Sequence, residues 1–295
     1  MQYCKIVLKE IPMPVFAHTY ENTQYDYVLL QEPQSLELSF IEQGAVDVYQ
    51  KDQHVRSMPE NSLHVIYSKE DIRLRSEAKL HRHITVGLKM DYEIIPLTEQ
   101  QVIAHGTDPD GGSIFAILPV EKILELSDAG KIPGLIREII QLYPNEAAGN
   151  RLVLVSKIMK LLYEVTQECI RQSYLSQKIP PGNILYVQKV MRYVSEHIRE
   201  KMTVDEIAKA VERSPGYLSN VFKHVTGQTL TEYINRTKLN LVKELVISGK
   251  MTYSRAGEYV GISDSCYLSR LFRKHMGMTI RELKHEQKAI SEWKG

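Results

Sequence analysis

Polar and basic side chains recur near the C-terminal end of the chain at helical spacing. Gly216, Ser219, Asn220 and Lys223 form one stripe, and Cys266, Ser269, Arg270 and Arg273 form a second. Hydroxyl, amide and guanidinium groups presented side by side can donate to and accept from a polar surface, while Lys and Arg neutralise anions. Elsewhere, His81 and His83 alternate onto one face of a predicted strand. Two imidazoles placed that way have the spacing of metal ligands. Cys4, Cys169 and Cys266 are an odd, scattered set without a CxxC pair, which argues against a disulfide framework.

The two polar stripes belong to a segment that copies itself. Tyr217-Leu218-Ser219, Phe222, Lys223, Gly227 and Thr229 return 50 positions later as Tyr267-Leu268-Ser269, Phe272, Arg273, Gly277 and Thr279. Self-similarity at one period means one supersecondary unit built twice, and two copies at a fixed separation suit a periodic partner such as duplex DNA.

Each copy carries the punctuation of a helix. Ser214 is placed as an N-cap with Pro215 at the first helical position, and Gly227 is placed to end the helix. Leu218, Val221, Phe222 and Val225 fall at i, i+3, i+4 and i+7, a stripe that must be buried. Leu268, Leu271 and Phe272 repeat it. A shorter helix precedes each copy. Thr203 to Glu206 has capping-box form and opens a segment with Ile207, Ala208 and Val211 inward; Ala256, Gly257 and Val260 repeat that pattern. Ala208 and Gly257 are small where two helices would meet closely, which is the grammar of a helix-turn-helix. Between the copies, Thr229 to Glu232 starts an amphipathic helix running to about Ser248. Twenty helical residues span about 30 Å, close to the ~34 Å of one duplex turn.

In these segments the chain resembles the DNA-binding domain of AraC/XylS-type bacterial transcription regulators. The likeness covers residues 183–288 and is carried by MTVDEIAKAVERSPGYLSNVFKHVTGQTLTEYINRTKLNLVKELV and GISDSCYLSRLFRKHMGMTIREL. The resemblance implies base-reading positions at Gly216, Ser219 and Asn220 in the first helix, and at Ser265, Cys266, Ser269 and Arg270 in the second. It adds Lys223 as a further candidate base-reading position, while charge alone reads Lys223, Arg273 and Lys274 as phosphate contacts. Leu230 and Ile280 stand where the family usually has proline, and Leu283 where it usually has an aromatic residue. The resemblance further implies RNA polymerase as a partner and a small-molecule effector, a carbohydrate being common, and it implies no cofactor.

Charge partition agrees with this reading. Residues 183–295 carry 19 Lys and Arg against 12 Asp and Glu, whereas residues 1–182 carry 18 against 24. A net charge of +1 therefore hides a basic C-terminal module, as expected when only one half contacts phosphate. The length of 295 residues suits two domains. No secretory h-region or membrane-length apolar run is visible, which predicts a cytoplasmic protein.

The first ninety residues follow a different rule. Leu36–Ile41, Ala45–Gln50, His54–Met58, Leu63–Ser68, Asp71–Ser76 and Leu80–Leu88 are short alternating or β-branched segments separated by turns. They predict a small antiparallel sandwich or barrel, similar in pattern to the cupin-like sensing domain that precedes the DNA-binding module in this family. The enzymatic cupin motif's glutamate and flanking glycines are missing around His81 and His83, so these read as ligand-facing or ordinary polar residues in preference to a metal pair. Helical periodicity then predicts helices over Pro119–Leu126, Pro133–Leu142 and Asn150–Tyr174, and Ser176–Asn183 reads as a linker. In the last helix Leu154, Ile158, Leu161 and Val165 have the spacing of a two-helix seam, with Leu152, Val155, Met159 and Leu162 beside it. The expectation is a homodimer through that seam. Asp108 to Gly112 reads as a turn cluster over a pocket or a plain loop. Cys266 reads as a contact position or a thiolate sensor.

The expected architecture is thus α+β in two domains. Residues 1–175 form an antiparallel β, cupin-like sensing and dimerisation domain with a helical subdomain, 176–182 a linker, and 183–295 an all-α duplicated helix-turn-helix. The expected activity is sequence-specific DNA binding in transcription regulation, without catalysis. The alternatives are a cupin-type metal enzyme with a DNA-binding tail and a helical adaptor that binds protein.

Overall fold

The computed structural model describes residues 2–29, 34–67, 71–105, 114–120, 123–127, 130–144 and 148–283. The chain divides near Gln177 and Lys178 into two compact units.

The first unit begins with β1 (Tyr3–Leu8), β2 (Met13–Asn22), β3 (Tyr25–Leu29), β4 (Ser35–Gln43), β5 (Val46–Gln50) and β6 (Gln53–Met58). It continues through β7 (Ser62–Ile66), β8 (Ile72–Ser76), β9 (His81–Lys89), β10 (Tyr92–Leu97) and the first residues of α1 (Glu99–His105), whose residues from Ile103 group with the second unit. It closes with β11 (Phe115–Pro119), β12 (Ile123–Glu125), α2 (Lys131–Leu142) and α3 (Ala148–Ser176). The described strands make a five-stranded sheet β12-β7-β4-β9-β2, a four-stranded sheet β3-β8-β5-β6, and a three-stranded sheet β10-β1-β11. All pairings are antiparallel. Between the two larger sheets Tyr25, Ile41, Val46, Val48, Met58, Ile66, Ile72 and Leu74 form one core. On the other face of β4 and β9, Leu36, Leu38, Phe40, Ile84, Val86 and Leu88 are buried as well. Strands covered on both faces lose the simple alternation of a half-solvated sheet. This is the antiparallel sandwich the sequence predicts, extended by β1, β2, β3 and β10, which it does not single out.

Three expectations are corrected. The helix expected over residues 119–126 is not formed by its described residues: Phe115 to Pro119 is strand β11, and β12 pairs Leu124 with Leu63 of β7. A short apolar run carries no periodicity of its own, and sheet partners decide it. The linker is shorter than residues 176–182, because Pro181 and Gly182 already form the first turn of the next helix. The proposed dimer seam is core. Leu154, Ile158, Leu161 and Val165 are all buried within the single chain, where α3 packs on α2 and β11. Thr166 fixes that docking: its Oγ accepts from the Ile117 N–H at 3.0 Å and donates to the Leu162 carbonyl at 2.8 Å. The outward face of α3 carries Leu152 and Tyr163 instead, 78% and 51% exposed. Asp108 to Gly112 lie outside the described residues.

The second unit is helical: α4 (Pro181–Glu196), α5 (Val204–Ala210), α6 (Pro215–Thr226), α7 (Leu230–Ile247), α8 (Tyr253–Tyr259) and α9 (Ser265–Met276). Both capping boxes form, Thr203 with Glu206 and Thr229 with Glu232. The 18 residues of α7 span about 27 Å, and its buried residues Leu239, Val242, Leu245 and Val246 join a core with Val260, Ile262, Leu268 and Phe272.

Candidate nucleic-acid interface

Matching caps set the ends of α6 and α9. Ser214 Oγ accepts from the Tyr217 N–H at 3.3 Å, and Asp264 Oδ1 accepts from the Cys266 and Tyr267 N–H groups at 2.9 and 3.0 Å. Gly227 and Gly277 end the helices in the left-handed conformation, each with φ 73°. That conformation is open to glycine without steric cost. Serine and aspartate supply the same capping oxygen, so the two helices start and stop at equivalent positions 50 residues apart.

Burial then divides each helix into two faces. Leu218, Val221, Phe222 and Val225 are buried in α6, and Leu268, Leu271 and Phe272 in α9. Phe222 meets Tyr233 of α7 with ring centroids 5.4 Å apart. On the opposite faces, Gly216, Ser219, Asn220 and Lys223 are exposed, as are Ser265, Cys266, Ser269, Arg270, Arg273 and Lys274. Every residue expected to touch DNA is therefore on a solvent face, and each set is brought together on one helix. Lys223 and His224 fall in the last turn of α6, and Arg273, Lys274 and His275 in that of α9, where cations complement the helix dipole as well. The preceding helices pack as their small residues require. Ala208 is buried in α5, and a Cβ on Gly257 of α8 would lie 2.5 Å from Leu268 Cδ2 and 2.9 Å from the Ile262 carbonyl.

The structure adds Tyr217 and Tyr267, each 43% exposed beside its polar stripe. Their signal was present as anchors of the repeat, but an aromatic at helical spacing reads first as core. Tyr217 stacks at a tilt against Tyr186 of α4, centroids 5.6 Å apart, and its hydroxyl reaches Asn183 Oδ1 at 3.4 Å. A tyrosine held this way keeps a polar tip for a partner.

A second polar site lies inside the first unit. Glu37 and Ser39 of β4 pair with Gly87 and Thr85 of β9 and point between the larger sheets, in line with His83 and His81. Ser39 Oγ and Thr85 Oγ1 are 2.6 Å apart, and His81 Nε2 lies 2.8 Å from His83 Nδ1. Tyr20 stacks on His83 at 5.2 Å and Tyr25 lies against His81 at 4.3 Å. Burial depresses both imidazoles, His83 to about 3 with help from its two histidine neighbours. Both are neutral near pH 7, each in reach of the other. Among the described residues no group of three or more His, Cys, Asp or Glu converges to hold a metal. Phe16, Tyr27, Leu29, Glu37, Ile66 and Gly87 line a cavity of about 300 Å³. Gly87 has no room for a Cβ, which would lie 2.2 Å from the Phe16 ring. Burial raises the Glu37 carboxyl to about 7. Sequence reading missed Glu37 because a polar residue at alternate strand positions reads as solvent-facing, whereas here a second sheet covers that face.

Comparison with known proteins places the helical unit. The helix-turn-helix domain family matches residues 191–286. The chain is 26% identical over 127 residues to the bifunctional transcriptional activator and DNA repair enzyme AdaA of Bacillus subtilis, covering 43% of this chain and 59% of that protein. It is 23% identical over 151 residues to the arabinose operon regulatory protein of Salmonella typhimurium, covering 51% and 52%. Among solved structures, the C-terminal domain of AraT, a response regulator from Geobacillus stearothermophilus, aligns at 24% identity and a TM-score of 0.33, covering 34% of this chain and 84% of that one. The matches span between 36% and 59% of the length of the first three curated relatives. Among the described residues no helix is long and apolar enough to cross a membrane.

Proposed function

We propose that this chain, whose C-terminal unit is similar to AraC/XylS-type helix-turn-helix domains, is a sequence-specific DNA-binding transcription regulator that acts in the cytoplasm without catalysing a reaction. One observation carries the reading: α6 and α9 present polar, basic faces at equivalent positions of a repeated unit capped at the same two ends. Gly216, Ser219 and Asn220, with Ser265, Cys266, Ser269 and Arg270, read base edges. Lys223, Arg273 and Lys274 neutralise phosphates. Because Gly216 has no side chain, the first helix relies on Ser219 and Asn220.

The largely apolar cavity that Glu37 lines supports a small-molecule effector held by the first unit, with its readout at the promoter through RNA polymerase. Two chains pair to occupy repeated operators, since linking two DNA-binding modules adds about 10²–10⁴ in avidity when the geometry permits. The buried α3 seam is no part of that pairing.

The test is selection of duplexes by the full chain from a random-sequence library, followed by affinity measurements between about 50 and 200 mM salt. A recovered consensus with two half-sites and a steep salt slope supports the regulator. A protein that selects no consensus and binds no duplex at low salt is not one.

A further inference from the structure

The two helix-turn-helix units are joined by more than α7. Lys238, in the middle of α7, is 4% exposed. Its ammonium donates to the Glu200 carbonyl at 2.5 Å and to the Val260 carbonyl at 2.7 Å. Glu200 lies in the turn that follows α4, and Val260 is the C-cap of α8. One side chain thus ties a backbone oxygen next to the first helix-turn-helix to a backbone oxygen of the second, both within the helical unit. Burial lowers its pKa from the ordinary lysine value.

Two neighbouring contacts lie along the same line. Gly261 has φ 74°, and a Cβ there would lie 3.1 Å from the Glu200 carbonyl carbon and 3.2 Å from the Lys201 nitrogen. The Arg199 guanidinium sits 4.6 Å over the Tyr259 ring. Residues 199–201 therefore meet residues 259–261 as one short seam, with Lys238 inside it.

A buried ammonium is costly unless it is hydrogen-bonded, and an apolar side chain of similar length would fill the space at lower cost. What an apolar residue cannot do is bond both carbonyls, that of Glu200 in the turn after α4 and that of Val260 at the end of α8, where helix acceptors lack intrahelical partners. A single helix linking the two readers would let each turn about it as the helix bends. A second, hydrogen-bonded connection removes that freedom.

The geometry points to Lys238 as a positioning residue that fixes the separation and rotational phase of α6 and α9, and so the spacing of half-sites the chain accepts. This rests on the DNA-binding reading above. In that reading α6 and α9 touch the bases, while Lys238 acts only through them.

The experiment uses the full chain and the duplex recovered from a random library, remade with one or two base pairs inserted between its half-sites and as each half-site alone. For the wild-type chain, insertion lowers affinity at least about tenfold, because the two readers no longer reach their half-sites together. Lys238→Met binds single half-sites within about twofold of wild type, binds the natural spacing about tenfold more weakly, and loses most of the insertion penalty. Lys238→Arg, which keeps donors for both carbonyls, restores the penalty. A Lys238→Met chain that is folded by circular dichroism yet keeps the wild-type penalty overturns the assignment. If Lys238→Met does not fold, Gly261→Ala decides in its place: a flattened spacing profile supports the seam, and an unchanged one overturns it. A wild-type chain that binds duplex without any spacing dependence also overturns the assignment, whereas one that binds no duplex overturns the regulator reading itself.

Discussion

Gly257 of α8 and Leu268 of α9 are packed so closely that a single added methyl would overlap: an ideal Cβ on Gly257 lies 2.5 Å from Leu268 Cδ2 and 2.9 Å from the Ile262 carbonyl. Leu268 is fully buried, and the carbonyl is backbone, so neither neighbour can withdraw freely. Gly257→Ala is expected to destabilise the second helix-turn-helix by about 1–3 kcal/mol, the usual cost of overpacking a core. Gly134, inside α2 with nothing within 4 Å of its missing Cβ, is the control: Gly134→Ala is expected to stabilise by about 0.5–1 kcal/mol through helix propensity. Thermal unfolding of the two variants beside wild type measures both. Equal, small effects would show that α8 and α9 are less closely packed.

Base reading and phosphate binding separate by salt and by sequence. Arg270 has the only long side chain capable of bidentate contact among the proposed base readers. Arg270→Ala is expected to lose about 1–3 kcal/mol on the selected duplex and to relax preference at its contact position. Lys223→Ala, Arg273→Ala and Lys274→Ala are expected to weaken all duplexes alike and to lower the salt slope by about one each. Competition titrations against base-substituted duplexes at several salt concentrations resolve the two patterns. Unchanged affinity and preference in Arg270→Ala would remove α9 as a base reader.

The α3 helix has one face buried in the core and one face exposed, and only the exposed face is free to pair. Ile158 is buried to 0% exposure, so Ile158→Glu strands a carboxylate in the core and forfeits its packing, a loss of more than about 3 kcal/mol. The first unit is expected to unfold. Leu152→Glu with Tyr163→Glu falls on exposed positions and is expected to change stability by less than about 0.5 kcal/mol each. Analytical ultracentrifugation then reads the pairing surface: folded monomers in the double variant place it on the outer face of α3, and persistent dimers place it elsewhere.

Glu37 makes the first unit sensitive to pH with a defined sign. Its carboxyl is raised from 4.5 to about 7 by burial, so the folded chain holds a proton that the unfolded chain releases. Its contribution to stability is greatest below 4.5 and is lost as pH rises through about 7. Glu37→Gln is expected to match wild type near pH 4 and to exceed it near pH 8 by up to about 3 kcal/mol. Urea unfolding of both proteins at the two pH values tests this. A stability difference that does not change with pH would mean that Glu37 ionises as an ordinary surface carboxylate.

The C-terminal unit was legible residue by residue. Helices obey local rules, so Ser214 with Pro215, the two capping boxes, Gly227 and Gly277, and the i, i+3, i+4 stripes announced four of its helices and their polar faces before any partner was known. The duplication did the rest, since a pattern seen twice at one offset tells the buried stripe from the reading stripe. In the first unit the strands from β4 to β9 were legible as alternation. The strands β1, β2 and β3 were not, because each is stabilised by a partner far along the chain, as Tyr3 opposite Leu97 and Pro119 shows.

By itself the sequence determined where the helices of the second unit begin and end and which of their faces is polar, because caps and helical periodicity act within a few residues. Tertiary structure alone decided three further matters. It turned the seam of α3 inward onto β11, it covered the polar face of β4 so that Glu37 lies at a cavity, and it set the Lys238 ammonium between carbonyls 38 residues before it and 22 residues after it. A side chain's period states which face it occupies, but whether that face meets solvent or another element depends on contacts between residues distant in the chain, and no local spacing encodes them.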